Sequence, residues 1–540
     1  MLLLIWYLGC ILVTAVQALS PHIILIVADD LGWNDVSFHG SDQIPTPNID
    51  ALAYNGVILN NYYSQSTSTS SRAALLTGRY PFHLGMQGES IMAAEPRGLP
   101  LQDKILPEFL KDLHYVTKAV GKWHLGFYKK EFTPTYRGFD SHLGYWGGYI
   151  SYYDHILQNV YPEGQILSGY DFRRNMDTAW ELDGQYATDV FTDECVNIIR
   201  NHNSSSSLFL YVGHLAVHAG NVGKPLEAPQ ESIDNFRYIP DPNRRTLAAM
   251  VSKLDESVGQ IIHALADTDM LNNSIIIFIS DNGAPSENWG SNYPFRGIKQ
   301  SLWEGGVRCI GLVWSPMINS SQRASNELMH VTDWLPTLFS AAGGNLSELA
   351  GNFDGVDQWN SISYNEASPR KQVLLNIDEV MKTAAIRDGD WKLVIGSFGT
   401  NGSLDRYYGE SGRGLRNPVY NISSVTNSTT WTSTAPYRRT DSDTELNKLR
   451  ESATVKCSFD SQYPETDCNP SITKEPCLFN IVSDPCEMHN LANIHEAVLR
   501  QLYHMLIIQK QSLVPQLIKQ LDFNGANPAK FNYTWSPWED

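Results

Sequence analysis

Two short segments of this chain consist almost entirely of branched apolar residues, and acidic residues follow both. Residues 22–28 read His-Ile-Ile-Leu-Ile-Val-Ala, and residues 275–279 read Ile-Ile-Ile-Phe-Ile. Unbroken apolar runs of this length are typical of strands that are covered on both faces, as in a parallel sheet. Apolar residues recur at helical spacing from Met250 to Leu265. Because strands alternate with helices, the pattern predicts an α/β fold with a mixed, mainly parallel sheet flanked by helices.

The sequence changes in character after about residue 370. Residues 384–394 are predicted to form a β-hairpin with its turn at Asp388-Gly389, which indicates a short antiparallel sheet. Residues 397–445 are rich in glycine, serine, asparagine and threonine, and this composition predicts an exposed insertion loop. We therefore predict a large domain at residues 19–370 and a smaller C-terminal α+β domain at residues 371–540.

Residues 1–18 are predicted to be a secretory signal peptide. Leu2 to Val16 is an almost unbroken apolar run, and Val16-Gln17-Ala18 has the small-x-small pattern of a cleavage site. A membrane anchor is the alternative, but the run is shorter than the ~20 apolar residues that span a bilayer. We expect a protein of the secretory pathway, lysosomal or extracellular, that does not span the membrane.

Sequons and cysteines agree with export. Several sequons in one chain with a signal peptide predict a glycosylated surface, and the asparagines concerned are Asn203, Asn272, Asn319, Asn345, Asn401, Asn421, Asn427 and Asn532. Four cysteines cluster late in the chain, and we expect local disulfide bonds among Cys457, Cys468, Cys477 and Cys486. A zinc site is the alternative, but the cluster has no CxxC pair. Cys195 and Cys309 are either buried thiols or a further pair.

The net charge of −18 makes nucleic acid an improbable partner, because phosphate backbones attract basic surfaces. The hydrophobic content of 42% and charged content of 18% are those of a globular protein. An acidic protein can still bind an anion if it concentrates its cations at one place.

The acidic residues that follow the two apolar runs predict a cation site. Asp29 and Asp30 follow the first run, and Asp281 and Asn282 follow the second after one serine. Ligands of open α/β sheets bind beyond the carboxyl ends of the strands. Three carboxylates and an amide oxygen suit calcium or magnesium. For either pair alone a turn or a helix cap is the alternative, and the repetition on two strands favours the metal.

A helix is predicted to begin near residue 68, and its N-terminus is expected to bind an anion. Ser68-Thr69-Ser70-Ser71 precedes Arg72-Ala73-Ala74-Leu75-Leu76. A serine cap followed by such a run begins a helix, and the free N–H groups of a helix N-terminus favour an anion. Capping alone does not explain the neighbouring Arg72 and Arg79.

These segments together resemble the sulfatase family. The family carries a Cys-x-Pro-Ser-Arg signature followed by a small-small-Leu-Leu-Thr-Gly-Arg helix, and Ser71, Arg72 and Leu75 to Arg79 match it in register. Further matching blocks extend over most of the chain, most closely to the arylsulfatase B-like branch. They are Ala28 to Trp33, Thr46 to Asp50, Gly121 to Gly126, Ser280 to Gly283, Arg296 to Lys299 and Gly305 to Arg308.

The resemblance implies an alkaline-phosphatase-like fold and calcium-dependent hydrolysis of sulfated sugars or aryl sulfates. By the resemblance, one calcium ion is held by Asp29, Asp30, Asp281 and Asn282, and Arg72 steadies the nucleophile. Sulfate binding and proton transfer fall to Lys122, His124, His218 and Lys299. Lysine and arginine stabilise the charge that develops on the sulfate, and a histidine can protonate the leaving oxygen. The aromatic residues between Tyr145 and His155 either face the sugar or serve in packing.

The chain departs from the family at the nucleophile. The family converts the signature cysteine to formylglycine, whose hydrated aldehyde attacks sulfur with one hydroxyl and expels sulfate with the other. Here Ser68 replaces that cysteine and Ser70 replaces the proline. Because the secretory converting enzyme acts on cysteine and recognises the proline, both changes put formylglycine at Ser68 in question.

Three hypotheses follow from this departure. The first is a working sulfatase, with Ser68 modified by another route or turning over slowly. The second is a catalytically silent binder of sulfated glycans. The third is a phosphomonoesterase or phosphodiesterase that uses unmodified Ser68 as its nucleophile.

Overall fold

The computed structural model describes residues 20–161, 164–349, 353–412, 416–457 and 466–539. The predicted signal peptide at residues 1–18 lies outside these ranges. Among the described residues, none of the helices has the length and apolar character needed to cross a membrane.

A ten-stranded sheet forms the centre of the larger part of the chain. Both apolar runs are strands of this sheet, and both are fully buried: β1 is His22–Ala28 and β11 is Ser274–Ser280. In spatial order the strands are β13 (Arg323–Ser325), β2 (Val57–Leu59), β12 (Gly311–Trp314), β11, β1, β10 (Leu208–Gly213), β4 (Val116–Lys122), β5 (Ser141–Tyr145), β8 (Arg173–Arg174) and β9 (Asp177–Thr178).

The middle of this sheet is parallel, as predicted. β1 pairs in parallel with β11 on one side and with β10 on the other, and β10 and β4 continue the parallel order to β5. β12 and β8 pair antiparallel with their inner neighbours. Two short two-stranded sheets lie outside it: β3 (Tyr62–Tyr63) with β14 (Met329–His330), and β6 (Ile156–Val160) with β7 (Ile166–Tyr170).

Helices cover the central sheet. The longest, α6 (Pro242–Asp267), contains the predicted helical segment and buries its apolar face. The helices before it in the chain are α1 (Pro47–Asn55), α2 (Ser68–Thr77), α3 (Leu106–Asp112), α4 (Ala187–Arg200) and α5 (Gln230–Asp234). Between α6 and residue 370 the chain forms α7 (Glu304–Val307), α8 (Trp334–Ala341) and α9 (Trp359–Tyr364).

The C-terminal part contains the predicted antiparallel sheet. Its strands are β15 (Gln372–Asp378), β16 (Thr383–Asp388), β17 (Trp391–Ile395) and β18 (Cys477–Asn480), in that spatial order. The hairpin is present, but Asp388 pairs with Trp391, so its turn is Gly389-Asp390, one residue later than predicted. The remaining helices are α10 (Ile422–Thr426), α11 (Thr429–Ser433), α12 (Asp443–Ala453), α13 (Pro470–Thr473) and α14 (Glu496–Lys510).

The prediction of an exposed loop at residues 397–445 is wrong for the later part of that segment. α10 and α11 lie within it, and Trp431 and Val425 are buried in the main hydrophobic core. Asn48 in α1 accepts a hydrogen bond from the backbone N–H of Thr430. The polar composition hid these contacts because only a few large apolar residues anchor the segment.

The late cysteines form local disulfide bonds, as expected. Cys457 bonds to Cys486 and Cys468 bonds to Cys477. Of the two possibilities left open for Cys195 and Cys309, the structure shows buried free thiols rather than a pair.

Candidate active site

The residues at the carboxyl ends of the parallel strands meet at one edge of the sheet. Ala28 of β1 pairs with Ser280 of β11, so Asp29 and Asp281 leave adjacent strands at the same level. Lys122 is the last residue of β4, two strands from β1 on the other side. The sheet therefore places acids and a lysine, far apart in sequence, beside one another.

Ser68 lies at this edge as the first residue of α2. A serine of the 68–71 segment was predicted to cap this helix, but the residue in the cap position is Thr67. Ser68 is fully buried, and its hydroxyl lies 2.8 Å from Asp281 Oδ2 and 3.2 Å from Asp29 Oδ1. The N-terminus of α2 thus directs its partial positive charge to the place where an anion would meet the Ser68 hydroxyl.

The predicted metal ligands surround the same hydroxyl. The side-chain oxygen of Asn282 lies 3.4 Å from Ser68 Oγ, while its Nδ2 donates to Asp30 Oδ1 at 2.6 Å. Ligand atoms of Asp29, Asp30 and His218 lie within 4.8 Å of one another. The carboxylates of Asp29, Asp30 and Asp281 and the amide oxygen of Asn282 are hard ligands, and their chemistry fits calcium or magnesium.

Three basic side chains balance the three carboxylates. Arg72 Nη2 donates to Asp281 Oδ2 at 3.0 Å, and Lys122 Nζ donates to Asp29 Oδ2 at 2.5 Å and to Ser68 Oγ at 3.2 Å. Lys299 Nζ donates to Asp30 Oδ1 at 2.6 Å. A divalent cation added to this neutral set would leave a net positive pocket, which suits a sulfate ester.

The ionised state of the carboxylates follows from these pairs. Burial acts to raise the pKa of Asp30, but Lys299 and His218 outweigh it and hold the pKa below its ordinary value. The same balance lowers the pKa of Asp29, where Lys122 is the main opposing cation. Burial lowers the pKa of Lys122 to about 8, so the ammonium form still predominates at neutral pH.

The two predicted histidines differ in their placement. His218 Nε2 lies 3.5 Å from Asp30 Oδ2, and the ring is partly exposed. His124 is buried, and its Nε2 lies 3.1 Å from the backbone oxygen of Ile91. Burial, together with Lys122, holds the pKa of His124 well below its ordinary value. Direct side-chain contacts therefore join every predicted site residue except His124.

Three further residues contact the site, and the sequence analysis assigned a role there to none of them. The Tyr211 hydroxyl accepts a hydrogen bond from Arg72 Nη1 at 2.9 Å, yet Tyr211 lies in an otherwise apolar strand. Ser71 Oγ donates to the backbone oxygen of Asp281 at 2.5 Å. Tyr149 stacks on His218 with 5.5 Å between ring centroids, and only the aromatic segment from Tyr145 to His155 pointed towards it.

Comparison with known proteins agrees with this fold. The sulfatase family profile matches residues 21–344. Arylsulfatase J of Mus musculus is 36% identical over 524 residues, which cover 96% of this chain and 80% of the relative. N-acetylgalactosamine-6-sulfatase of Homo sapiens is 32% identical over 340 residues, which cover 60% of this chain and 62% of the relative.

A solved structure has the same architecture over nearly the whole chain. The crystal structure of Ps i-CgsB in complex with k-i-k-neocarrahexaose superposes with a TM-score of 0.71 at 26% identity, covering 95% of this chain and 97% of that one. The fold is thus the alkaline-phosphatase-like α/β fold of the sulfatases. The chain belongs to the sulfatase family, whose named members are hydrolases of sulfate esters. Its place in the B-like branch stays a prediction.

Proposed function

We propose that this protein hydrolyses sulfate esters of sugars or aryl alcohols in a calcium-dependent site centred on Ser68. The observation that carries the proposal is the convergence on one buried hydroxyl of Asp281, Asp29 and Lys122, within 3.2 Å of Ser68 Oγ. A hydroxyl between a carboxylate and an ammonium group, at a helix N-terminus, is placed to attack an anionic ester.

Each residue has a chemical role in this proposal. Asp281, the nearest acceptor, holds the proton of the Ser68 hydroxyl, and Lys122 and Lys299 neutralise the sulfate oxygens. Arg72 fixes the orientation of Asp281. His218, with its partly exposed ring, is better placed than His124 to protonate the leaving oxygen at the mouth of the site. An unmodified Ser68 is sulfated in this step, and a water molecule must then attack its sulfur to release inorganic sulfate.

Asp29, Asp30, Asp281 and Asn282 would hold the calcium ion. When bound, the ion supplies positive charge that polarises the sulfate and lowers the pKa of a coordinated hydroxyl. Addition of calcium to chelator-treated protein is expected to raise the unfolding temperature, since calcium at 100 times its Kd adds about 2.7 kcal/mol of stability. Asp281→Asn should lose most of this response.

Asp255→Asn is the matched control for the calcium experiment. Asp255 is a buried carboxylate that caps α1 through the backbone N–H of Ile49 at 2.8 Å, away from the Ser68 cluster. Calcium should raise the unfolding temperature of Asp255→Asn as much as that of the native chain, even if the variant is less stable without calcium. If calcium raises the unfolding temperatures of Asp281→Asn and Asp255→Asn equally, the calcium site lies elsewhere. If calcium does not raise the unfolding temperature of the native chain, the protein has no calcium site.

Ser68→Ala is expected to abolish hydrolysis of 4-nitrophenyl sulfate, while sulfate at millimolar concentration should still raise the unfolding temperature. The hydroxyl supplies the nucleophile, whereas Arg72, Lys122 and Lys299 supply the binding charge. Ser257→Ala, which alters a buried serine beside His214, is the control and should keep the activity. Hydrolysis that survives in Ser68→Ala would contradict the assigned nucleophile.

A sulfated-glycan binder without turnover is the second function, favoured by the serines at positions 68 and 70. Mass spectrometry separates the two. Digestion with chymotrypsin and trypsin together releases residues 64–72, because cleavage follows Tyr63 and Arg72. Loss of two hydrogens at Ser68 identifies formylglycine, whereas an unmodified peptide together with sulfate binding and no turnover supports the silent binder.

We also propose export and N-glycosylation. The asparagines of all eight sequons are exposed, so each can carry a glycan in the folded protein. The relatives' names place sulfated N-acetylgalactosamine and aryl sulfates among the substrates to be tried first.

A further inference from the structure

A cavity of about 240 Å³ lies between α14 and the C-terminal sheet. α14 packs against β16 and β17, and its Leu502 and Leu506 are buried in the hydrophobic core that the helix shares with the sheet. Beside them, Tyr503 and Ile507 of the same helix line the cavity and are each 48% exposed. The end of α14 therefore leaves an apolar cavity that solvent can reach.

The floor of the cavity is one row of residues from three neighbouring strands. Ala384 of β16 pairs with Ile377 of β15 on one side and with Ile395 of β17 on the other, and all three residues line the cavity. Residues that are directly opposite one another in a sheet share a face. Because the middle residue of the row is an alanine, the floor is hollow between the two isoleucines. The small side chain at position 384 thus makes room for an apolar group.

Two lysines line the cavity and are free to act on a ligand. Lys382 lies in the turn between β15 and β16, and Lys510 is the last residue of α14. Both are exposed, and neither side chain forms a hydrogen bond or an ion pair with another described residue. An ammonium group on a flexible stem can turn towards a bound anion.

Two acids also line the cavity, but their carboxylates are occupied by donors from the protein. Asp378 Oδ1 accepts hydrogen bonds from Gln516 Nε2 at 2.6 Å and from the backbone N–H of Met381 at 2.8 Å. Glu379 Oε1 accepts one from the backbone N–H of Gln516 at 2.8 Å, and its Oε2 accepts one from Gln87 Nε2 at 2.9 Å. Because these bonds hold both carboxylates while the lysines stay free, the cavity favours an anionic head group on an apolar ligand.

We propose that this cavity binds one medium-chain alkyl carboxylate, with the chain on Ala384 and the carboxylate within reach of Lys382 and Lys510. The chain covers the exposed faces of Tyr503 and Ile507, which removes apolar surface from water. The volume is below the roughly 300 Å³ of common ligand pockets, so it admits one chain rather than a lipid with two. The site is independent of the proposed function, because none of the described residues that contact Ser68 lines this cavity.

Calorimetry with hexanoate, octanoate and decanoate tests the proposal on the full chain. Each added CH₂ group should tighten binding by up to about 4-fold until the cavity is full. Octylammonium has the same chain as octanoate and the opposite charge, and it should bind about 10-fold more weakly because it faces two free lysines.

Ala384→Phe fills the hollow in the floor and should weaken octanoate binding about 10-fold or more. The matched control is Ala324→Phe, because Ala324 is also a half-buried alanine of a strand, in the central sheet. That variant should bind octanoate as the native chain does. The unfolding temperature of each variant without ligand shows whether it is folded.

The double substitution Lys382→Gln and Lys510→Gln is a second test with little risk to folding, because both lysines are exposed. It should weaken octanoate binding several-fold and remove the preference over octylammonium. Lys448→Gln is the control, since Lys448 is an exposed lysine of α12 without an ion pair among the described residues. Its affinity for octanoate should equal that of the native chain.

Three results would overturn the proposal. The first is that millimolar octanoate does not bind the native chain, or binds Ala384→Phe equally well. The second is a dimer of the native chain in sedimentation that Ile507→Glu separates and octanoate does not, because a second copy then covers this face. The third is flotation of the native chain with phosphatidylserine vesicles without binding of monomeric octanoate, which assigns the face to a membrane surface.

Discussion

The double substitution Ser68→Cys and Ser70→Pro is expected to raise arylsulfatase activity about 100-fold, or about 2.7 kcal/mol in activation free energy, in an animal expression host. It restores the Cys-x-Pro-Ser-Arg signature ahead of the native Ser71 and Arg72. Formylglycine then supplies the second hydroxyl that expels sulfate, which a sulfated serine lacks. The measurement is kcat/KM on 4-nitrophenyl sulfate, together with the mass of the peptide that contains residue 68.

The fold should accept both changes. Ser70 is the third residue of α2, where a backbone N–H has no acceptor within the helix, so proline removes no helical hydrogen bond. The Ser70 hydroxyl does donate to the backbone oxygen of Met86 at 2.7 Å, and this bond is lost. Ser70→Pro alone is the control and should give no gain.

Two outcomes would contradict this account of the nucleophile. A native chain with full activity would mean that Ser68 is modified or sufficient as it is. A doubly substituted chain that carries formylglycine and stays inactive would mean that the rest of the pocket no longer supports turnover, and the silent-binder function would then take first place.

Arg72→Met is expected to lower both stability and sulfate-ester hydrolysis. Arg72 is fully buried, with its Nη2 3.0 Å from Asp281 Oδ2 and 3.5 Å from Asp29 Oδ2. Removing it leaves Asp281, a buried carboxylate, without an ion-pair partner, which costs about 3–5 kcal/mol. Loss of a preorganised charge at the site should also reduce kcat by about 100-fold or more. The measurements are the unfolding temperature and kcat on 4-nitrophenyl sulfate.

Arg79→Met separates the site effect from a general effect of losing an arginine. Arg79 follows the C-terminus of α2 and forms an ion pair with Asp103 at a partly exposed position. Because solvent screens this pair, its loss should cost about 1 kcal/mol or less and leave hydrolysis nearly unchanged. Similar losses of activity in both variants would mean that Arg72 acts through folding rather than through the orientation of Asp281.

The sequence was most informative where local pattern and burial coincide. Apolar runs marked β1 and β11, and their parallel pairing followed because both strands are covered on both faces. The acids after these strands were predicted to meet, and they do, because parallel strands end at one edge. The segment that contains Trp431 was misjudged, because polar composition does not reveal which few residues reach a core.

The sequence by itself determined the α/β class, the late disulfide cluster and, through its resemblance to the sulfatase family, the residues that meet around Ser68, with the exception of His124. Only the tertiary structure decided that His124 turns to the backbone oxygen of Ile91, whereas His218 contacts Asp30. It also decided that Ala384 of β16 and Tyr503 of α14 line one cavity. The physical reason is that hydrophobic periodicity specifies which face of an element is buried, whereas contacts between distant segments depend on how whole elements pack.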